Sequence, residues 1–123
     1  MRSHESCEMY LESILILKEK NAAVHAIDVA NFLQYSKPSV SRAMGILQSK
    51  GYITVDKRGN IDFTVEGRRY AESVYEKHHV LTSFLLSLGV GPAVAESDAC
   101  RIEHVISQET FAKIRELVKE GKE

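Results

Sequence analysis

The sequence lacks the features of a membrane protein, a secreted protein and a disulfide-stabilised protein. No apolar run approaches the roughly 18 residues that a membrane-spanning helix needs, and the N-terminal segment does not lead into a signal-peptide core. The 123 residues include only two cysteines, Cys7 and Cys100, too few for a disulfide framework and suited to a reducing compartment. We therefore expect a soluble, cytoplasmic protein with no membrane partner.

The sequence also lacks the residue combinations that enzymes use. His78 and His104 could each act as a base in a small metalloenzyme. However, no nucleophile–base pair, phosphate-binding loop or paired-carboxylate arrangement accompanies them. We therefore expect a protein that is not an enzyme and that takes no small organic substrate.

Charge is unevenly distributed along the chain. The net charge is −1, but residues 34–60 carry five basic residues against Asp56 alone, which gives +4 locally and leaves −5 for the remainder. A basic segment inside an acidic chain is a candidate binding surface for a polyanion. The alternative is a solvated surface with no binding role.

Hydrophobic periodicity predicts three helices in the first half of the chain, at about 4–20, 26–33 and 36–50. The third begins at Ser36, a plausible N-cap, and Pro38 lies in its first turn. Two short helices with a tight connection are typical of a helix-turn-helix, whose second helix enters the DNA major groove. The residues expected to contact DNA are Ser36, Lys37, Pro38, Ser39, Ser41 and Arg42.

Two short strands are predicted next, at 52–55 and 61–64, joined by a turn that contains Lys57 and Arg58. A hairpin directly after a helix-turn-helix indicates a winged helix. Lys57 and Arg58 are then expected to contact phosphates, although a solvated basic turn is the alternative.

The second half is predicted to contain three helices: one from 65 to 87, one from about 92 to 106, and a last one that begins near 107–109. His78 lies within the apolar stripe of the long helix, where a satisfied core histidine is the common explanation. The predicted fold is mainly α: a winged helix-turn-helix with a two-stranded wing at 1–65, followed by an all-helical assembly region at 66–123.

One segment of the second half has the composition of a metal site. On a helix, Cys100, Glu103 and His104 are spaced i, i+3 and i+4 and project from one face. A thiolate, a carboxylate and an imidazole form part of a transition-metal site and need at least one further ligand. The alternative is an amphipathic helix with a buried cysteine and two exposed polar residues.

Four segments in this order and spacing resemble the diphtheria toxin repressor family of metal-dependent transcriptional repressors, which includes the manganese transport regulators. They are EMYLE at 8–12, SKPSVS at 36–41, KH at 77–78 and DACRIEHV at 98–105. The resemblance covers essentially the whole chain. It implies a winged helix followed by a helical dimerisation and metal-binding region, and it implies repression of metal-uptake genes from a palindromic operator.

The resemblance also implies the metal ligands. They carry over at Met9, Cys100, Glu103 and His104, with His78 on the long helix and, from the manganese branch, Glu12. Met9 and Cys100 match the sulfur ligands of the iron branch, where the manganese branch has carboxylates. The chain nevertheless stops after the dimerisation helices, as in the manganese branch. Further ligand positions of the iron branch fall on Thr82 and Glu96, and threonine is a poor ligand.

Two sulfur ligands favour Fe²⁺ as the cofactor, with Mn²⁺ second, and Co²⁺, Ni²⁺ and Zn²⁺ should bind in vitro. Glu103 could also bridge to a second ion held by Glu12 and His78. Two alternatives remain open for the whole chain. One is a winged-helix regulator that needs no metal, with Cys100 as a core thiol. The other is a thiol redox sensor that uses Cys7 or Cys100.

Overall fold

The computed structural model describes residues 3–120, so the ends of the two predicted domains, at 1–2 and 121–123, lie outside the described residues. The elements are α1 (Ser3–Lys20), α2 (Ala26–Leu33), α3 (Lys37–Ser49), β1 (Ile53–Val55), β2 (Ile61–Phe63), α4 (Val65–Ser87), α5 (Pro92–Ile102) and α6 (Gln108–Glu120). The predicted fold class, a mainly helical chain with an N-terminal winged helix, is confirmed. The chain forms two compact units, Met1–Glu72 and Ser73–Glu123, and the boundary falls inside α4.

The first unit packs α1, α2 and α3 around an apolar core. Helical spacing places one apolar face of each helix inward, because residues three and four apart lie on the same side. The almost completely buried apolar side chains of this unit include Leu11, Ile14, Val24, Val29, Val40, Leu47, Ile53 and Ile61. This core holds α3 with its opposite face exposed.

The wing is a two-stranded antiparallel hairpin in which Thr54 pairs with Asp62. The segment before α2 joins it, because the Ile61 amide donates to the Val24 carbonyl at 2.8 Å and the Val24 amide donates to Asn60 Oδ1 at 3.2 Å. Lys18 of α1 also donates to Asp62 at 2.7 Å. The hairpin is thereby attached through β2 and Asn60 to α1 and to the segment between α1 and α2. Neither attachment is visible as a local sequence pattern.

The start of α4 is packed tightly against the chain after α3. Thr64 Oγ1 donates to the Gly51 carbonyl at 2.6 Å and accepts from the Gly67 amide at 3.0 Å, so Thr64 caps the helix. A Cβ atom at Gly67 would lie 1.8 Å from the Tyr52 carbonyl oxygen. Only glycine therefore fits at position 67.

The second unit contains the end of α4 together with α5 and α6. Its buried apolar side chains are Val74, Leu81, Ala95, Ala99 and Phe111. Arg115 of α6 forms an ion pair with Glu76 of α4 at 3.2 Å. Among residues 3–120, no helix is long and apolar enough to cross a membrane.

The helix carrying Cys100 is shorter than predicted. The prediction extended it to residue 106, but α5 ends at Ile102, and Glu103 is its C-cap with φ −58° and ψ −24°. The chain continues in a turn in which the Val105 amide donates to the Ile102 carbonyl at 3.0 Å. Glu103 and His104 therefore lie at the end of the helix.

Candidate metal centre

The end of α5 brings three potential metal ligands together. One ligand atom each from Cys100, Glu103 and His104 lie within 4.8 Å of one another. The helical spacing predicted that these three side chains would lie together, and they do so although α5 ends at Ile102. Glu103 keeps right-handed helical dihedral angles, and its amide still donates to the Ala99 carbonyl at 2.9 Å. Cys100 is exposed, whereas Glu103 is fully buried.

The Glu103 carboxylate has one bonded oxygen and one oxygen without a hydrogen bond. His78 Nδ1 donates to Oε1 at 2.8 Å, while Oε2 accepts no hydrogen bond from any residue in the described part of the chain. Burial of a carboxylate oxygen without a hydrogen bond has an appreciable cost in desolvation free energy. The cluster therefore has a buried oxygen whose lone pairs are available to a cation.

The neighbour of that oxygen is His104. Its Nε2 lies 3.3 Å from Glu103 Oε2, although Oε2 accepts no hydrogen bond within the described residues. Two atoms that bind one metal ion at about 2.1 Å with tetrahedral angles are themselves roughly 3.4 Å apart. The Glu103–His104 separation matches this value, and Cys100 adds a sulfur donor. The residues present therefore fit a divalent transition metal.

His78 lies between two carboxylates of the second unit. Nδ1 contacts Glu103, and Nε2 lies 3.4 Å from Oε2 of Glu96, a residue of α5 that is largely exposed. Carboxylate contacts of this kind orient imidazoles and neighbouring ligands at metal sites. The Thr82 hydroxyl donates to the His78 carbonyl at 2.8 Å. His78 is thus the hydrogen-bond partner of Glu103, and its role as a ligand stays a prediction.

The other two predicted ligands, Met9 and Glu12, lie on α1 in the first unit. Met9 Sδ accepts a hydrogen bond from the Tyr35 hydroxyl at 3.3 Å, and Ser13 Oγ donates to the Met9 carbonyl at 2.8 Å. Glu12 is buried. Tyr35 could not be identified from local sequence patterns, because its contact with Met9 joins positions 26 residues apart.

Two tyrosines of the first unit, Tyr70 and Tyr10, have raised pKa values. Burial, followed by the hydrogen bond that the Tyr70 hydroxyl donates to Glu8 at 2.9 Å, holds the pKa of Tyr70 well above its usual value. Burial and the neighbouring Tyr35 raise the pKa of Tyr10, against a smaller lowering by Arg42. Glu8 is thus a buried carboxylate with a tyrosine donor, a pairing that the sequence analysis missed.

The predicted DNA-contacting residues of α3 lie at its N-terminal end. Ser36 caps the helix, since its Oγ accepts from the Ser39 amide at 3.3 Å, and Pro38 lies in the first turn. Val40, Met44 and Leu47 face the core. The predicted contact residues are exposed, apart from the partly buried Ser39: Ser36, Lys37, Pro38, Ser41 and Arg42.

The wing turn presents the two remaining predicted contacts, Lys57 and Arg58, both exposed. Asp56 shapes this turn, because its Oδ1 accepts from the amides of Arg58 and Asn60, each at 2.9 Å. Gly59 follows with a positive φ of 83°, which glycine adopts without strain. The turn is therefore well defined, with its two cations directed away from the core.

Comparison with known families covers almost the whole chain. Residues 3–61 match the sequence model of the iron-dependent repressor N-terminal DNA-binding domain. Residues 64–123 match that of the iron-dependent repressor metal-binding and dimerisation domain. Together the two matches leave only the extreme N-terminus and the two residues 62–63 unassigned.

Curated relatives agree with these matches. The transcriptional regulator MntR of Salmonella typhimurium is 35% identical over 107 residues, which cover 87% of this chain and 68% of MntR. The diphtheria toxin repressor of Corynebacterium glutamicum is 30% identical over 115 residues, which cover 93% of this chain and 50% of the repressor.

Among solved structures, the manganese regulator SloR superposes with a TM-score of 0.82 at 25% identity, covering 94% of this chain. This chain spans about half of SloR, 54% of its length. The family matches and the MntR similarity agree with the geometry at the end of α5, and the chain belongs to the iron-dependent repressor, or diphtheria toxin repressor, family of metal-dependent transcriptional regulators.

Proposed function

We propose that this chain is a cytoplasmic repressor that binds a palindromic operator as a homodimer when it is loaded with a divalent metal ion, and that it controls metal-uptake genes. Residues 1–65 would bind DNA, and residues 66–123 would bind the metal and form the dimer. One observation carries the metal part of this proposal: the buried Glu103 oxygen that lies beside Cys100 and His104 without a hydrogen bond.

The proposed ligands are Cys100, Glu103 and His104 from the second unit and Met9 from α1. Glu12 and His78 are proposed as additional ligands on the strength of the family resemblance. The bound ion would neutralise the negative charge of the Glu103 carboxylate. It would also be bound by ligands from both ends of the sequence. Met9 and Cys100 stand 91 positions apart in the chain (100 − 9), so joint ligation would favour one arrangement of α1.

The donor set favours Fe²⁺ as the physiological metal, with Mn²⁺ second. Carboxylate and water ligands suit Mn²⁺, whereas thiolate and thioether sulfur shift preference toward softer or later metals. SloR is described as a manganese regulator. For this chain, the sulfur atoms of Met9 and Cys100 argue for iron, and Co²⁺, Ni²⁺ and Zn²⁺ should bind in vitro because affinity follows the Irving–Williams order.

The α3 helix would read DNA from its N-terminal end. Its capped first turn presents hydroxyl, cationic and proline side chains, and Lys57 and Arg58 would contact phosphates from the wing. A homodimer is supported by large apolar side chains that the second unit leaves exposed, which are Leu86, Leu88, Val94, Val105 and Leu117. Two copies related by a twofold axis would present two α3 helices to a palindrome.

Operator binding with and without metal tests this proposal. Fluorescence anisotropy under anaerobic conditions should show an affinity at least about tenfold higher with Fe²⁺ than with chelator, within the usual range of allosteric coupling. Cys100→Ala should remove most of that gain, whereas Cys7→Ala, a substitution of the buried cysteine of the first unit, should retain it. Equal affinity with and without metal would refute the proposal.

The exposure of Cys100 supports one alternative, a thiol redox sensor. In that case peroxide treatment of the metal-free protein should release operator DNA, and Cys100→Ser should abolish the response. Under our proposal the metal-free protein has little operator affinity to lose. A winged-helix regulator that needs no metal would instead retain full operator affinity in Cys100→Ala and His104→Ala.

A further inference from the structure

Tyr35 occupies the turn between α2 and α3, where the chain is held in a constrained conformation. The preceding residue, Gln34, has φ 60° and ψ 43°, which is left-handed and uncommon for a residue with a side chain. The Tyr35 amide donates to the Ala30 carbonyl at 3.1 Å, and the following residue, Ser36, caps α3. The backbone of Tyr35 is therefore fixed relative to both helices.

The Tyr35 side chain reaches back to α1 and makes two contacts there. Its hydroxyl donates to Met9 Sδ at 3.3 Å. Its ring packs edge to face against the buried Tyr10, with the ring centroids 6.1 Å apart and the planes at 74°. The ring contact holds the tyrosine in place, so the hydroxyl has a defined position from which to donate to sulfur.

A hydrogen-bond partner can prepare a methionine sulfur to act as a ligand. Its side chain has three rotatable bonds and adopts many positions at similar energy. Binding that must first immobilise a side chain is weakened by the accompanying decrease in conformational entropy. A thioether sulfur carries two lone pairs, and one hydrogen bond from Tyr35 occupies one of them and leaves the other for a metal ion.

We propose that Tyr35 is a positioning residue that holds the Met9 thioether in place for metal binding and links it to the first turn of α3. This inference rests on the proposed function, in which Met9 is a ligand, and adds a residue that touches no metal itself. It specifies a role for the tyrosine hydroxyl that is distinct from the role of its ring.

Removal of that hydroxyl alone is the direct test. Tyr35→Phe keeps the ring against Tyr10 and removes the donor to Met9. Tyr52→Phe is the matched control, because Tyr52 also lies in the first unit and packs edge to face on a tyrosine, Tyr70, at 5.1 Å.

The first readout needs no metal. The protein contains three methionines, and the ¹³C-labelled ε-methyl resonance that Met9→Leu removes is that of Met9. In metal-free protein, Tyr35→Phe should shift this resonance toward the position typical of freely rotating methionine, while the resonance of the buried Met44 stays in place. Tyr52→Phe should leave all methionine resonances in place. An unshifted Met9 methyl resonance in Tyr35→Phe would overturn the inference.

The second readout is Co²⁺ affinity, measured by competition with a chelator. Tyr35→Phe should weaken binding about threefold through reduced preorganisation, Tyr52→Phe should not change it, and Tyr35→Phe should have no further effect in a Met9→Leu background. Unchanged or tighter Co²⁺ binding in Tyr35→Phe would refute the positioning role. If Met9→Leu itself left Co²⁺ affinity unchanged, the ligand assignment in the proposed function would fail instead, and the positioning role with it.

Discussion

Substitution of Glu103 by glutamine should raise stability in the absence of metal and should remove the stabilisation that metal gives to the wild type. In the structure, Oε1 accepts from His78 and Oε2 accepts nothing within the described residues, although the side chain is fully buried. Glutamine keeps an acceptor for His78 and replaces the second oxygen by a neutral amide group. A buried polar atom without a hydrogen bond costs about 1–3 kcal/mol.

In a chelator, Glu103→Gln should therefore be more stable than the wild type by about 1–3 kcal/mol, because a charged carboxylate oxygen without a hydrogen bond costs more to bury than a neutral amide nitrogen without one. With Co²⁺ at about a hundredfold excess over its Kd, the wild type should gain about 2.7 kcal/mol. The variant should gain almost nothing, because an amide is a poor replacement for a carboxylate ligand. The difference in free energy of unfolding between the variant and the wild type should then narrow or change sign on addition of metal.

Urea denaturation followed by circular dichroism, in chelator and in Co²⁺, measures both free energies of unfolding. Glu116→Gln is the matched control, since Glu116 is an exposed carboxylate on α6, and it should change neither value appreciably. A Glu103→Gln variant that is less stable than the wild type in chelator, yet gains as much from Co²⁺, would refute the reasoning. The buried oxygen would then have a structural partner and no part in metal binding.

Three further predictions concern the metal preference, the wing and Tyr70. Cys100→Asp should move the preference from Co²⁺ toward Mn²⁺ by about tenfold, or about 1.4 kcal/mol, in chelator competition, because a carboxylate is a harder ligand than a thiolate. Replacement of both Lys57 and Arg58 by Ala should weaken binding to operator and random DNA alike and should lower the salt slope by about 1 for each phosphate interaction that the substitution removes. Between about pH 10 and 11.5, the free energy of unfolding of the wild type should fall faster than that of Tyr70→Phe, by about 1.4 kcal/mol per pH unit.

The sign of the last prediction follows from the raised pKa of Tyr70. The folded protein holds the phenol proton above about pH 10, where the unfolded chain releases it, so this stabilisation is complete below that pH and decreases as the pH rises further. Parallel pH profiles of the two proteins would contradict it. For the wing, weaker binding confined to operator DNA would indicate base contacts instead of phosphate contacts. For Cys100→Asp, an unchanged ratio of Co²⁺ to Mn²⁺ affinity would remove the thiolate from the ligand set.

The local sequence was sufficient for the order and nature of the elements. Alternating and helical periodicities record which side of an element faces the core, and that information lies within a few residues of each position. The strands of the wing and the cap at Ser36 were therefore predictable. The end of α5 was not, because residues 103–106 retain helical character in their sequence while the chain leaves the helix at Ile102.

For the candidate metal residues too, the sequence predicts some features and only the tertiary structure shows the others. Cys100, Glu103 and His104 lie within five consecutive positions, so their sequence spacing was enough to predict that they would come together. The sequence could not reveal that Glu103 is fully buried with one oxygen that accepts no hydrogen bond within the described residues, because burial depends on tertiary packing. Likewise, Tyr35 and Met9 are 26 positions apart, and only the packing of the turn after α2 against α1 brings a hydroxyl to the sulfur. Residue types and spacing thus determined the chemistry available to this protein, while tertiary packing decided which atoms are desolvated, oriented and left with lone pairs for a ligand.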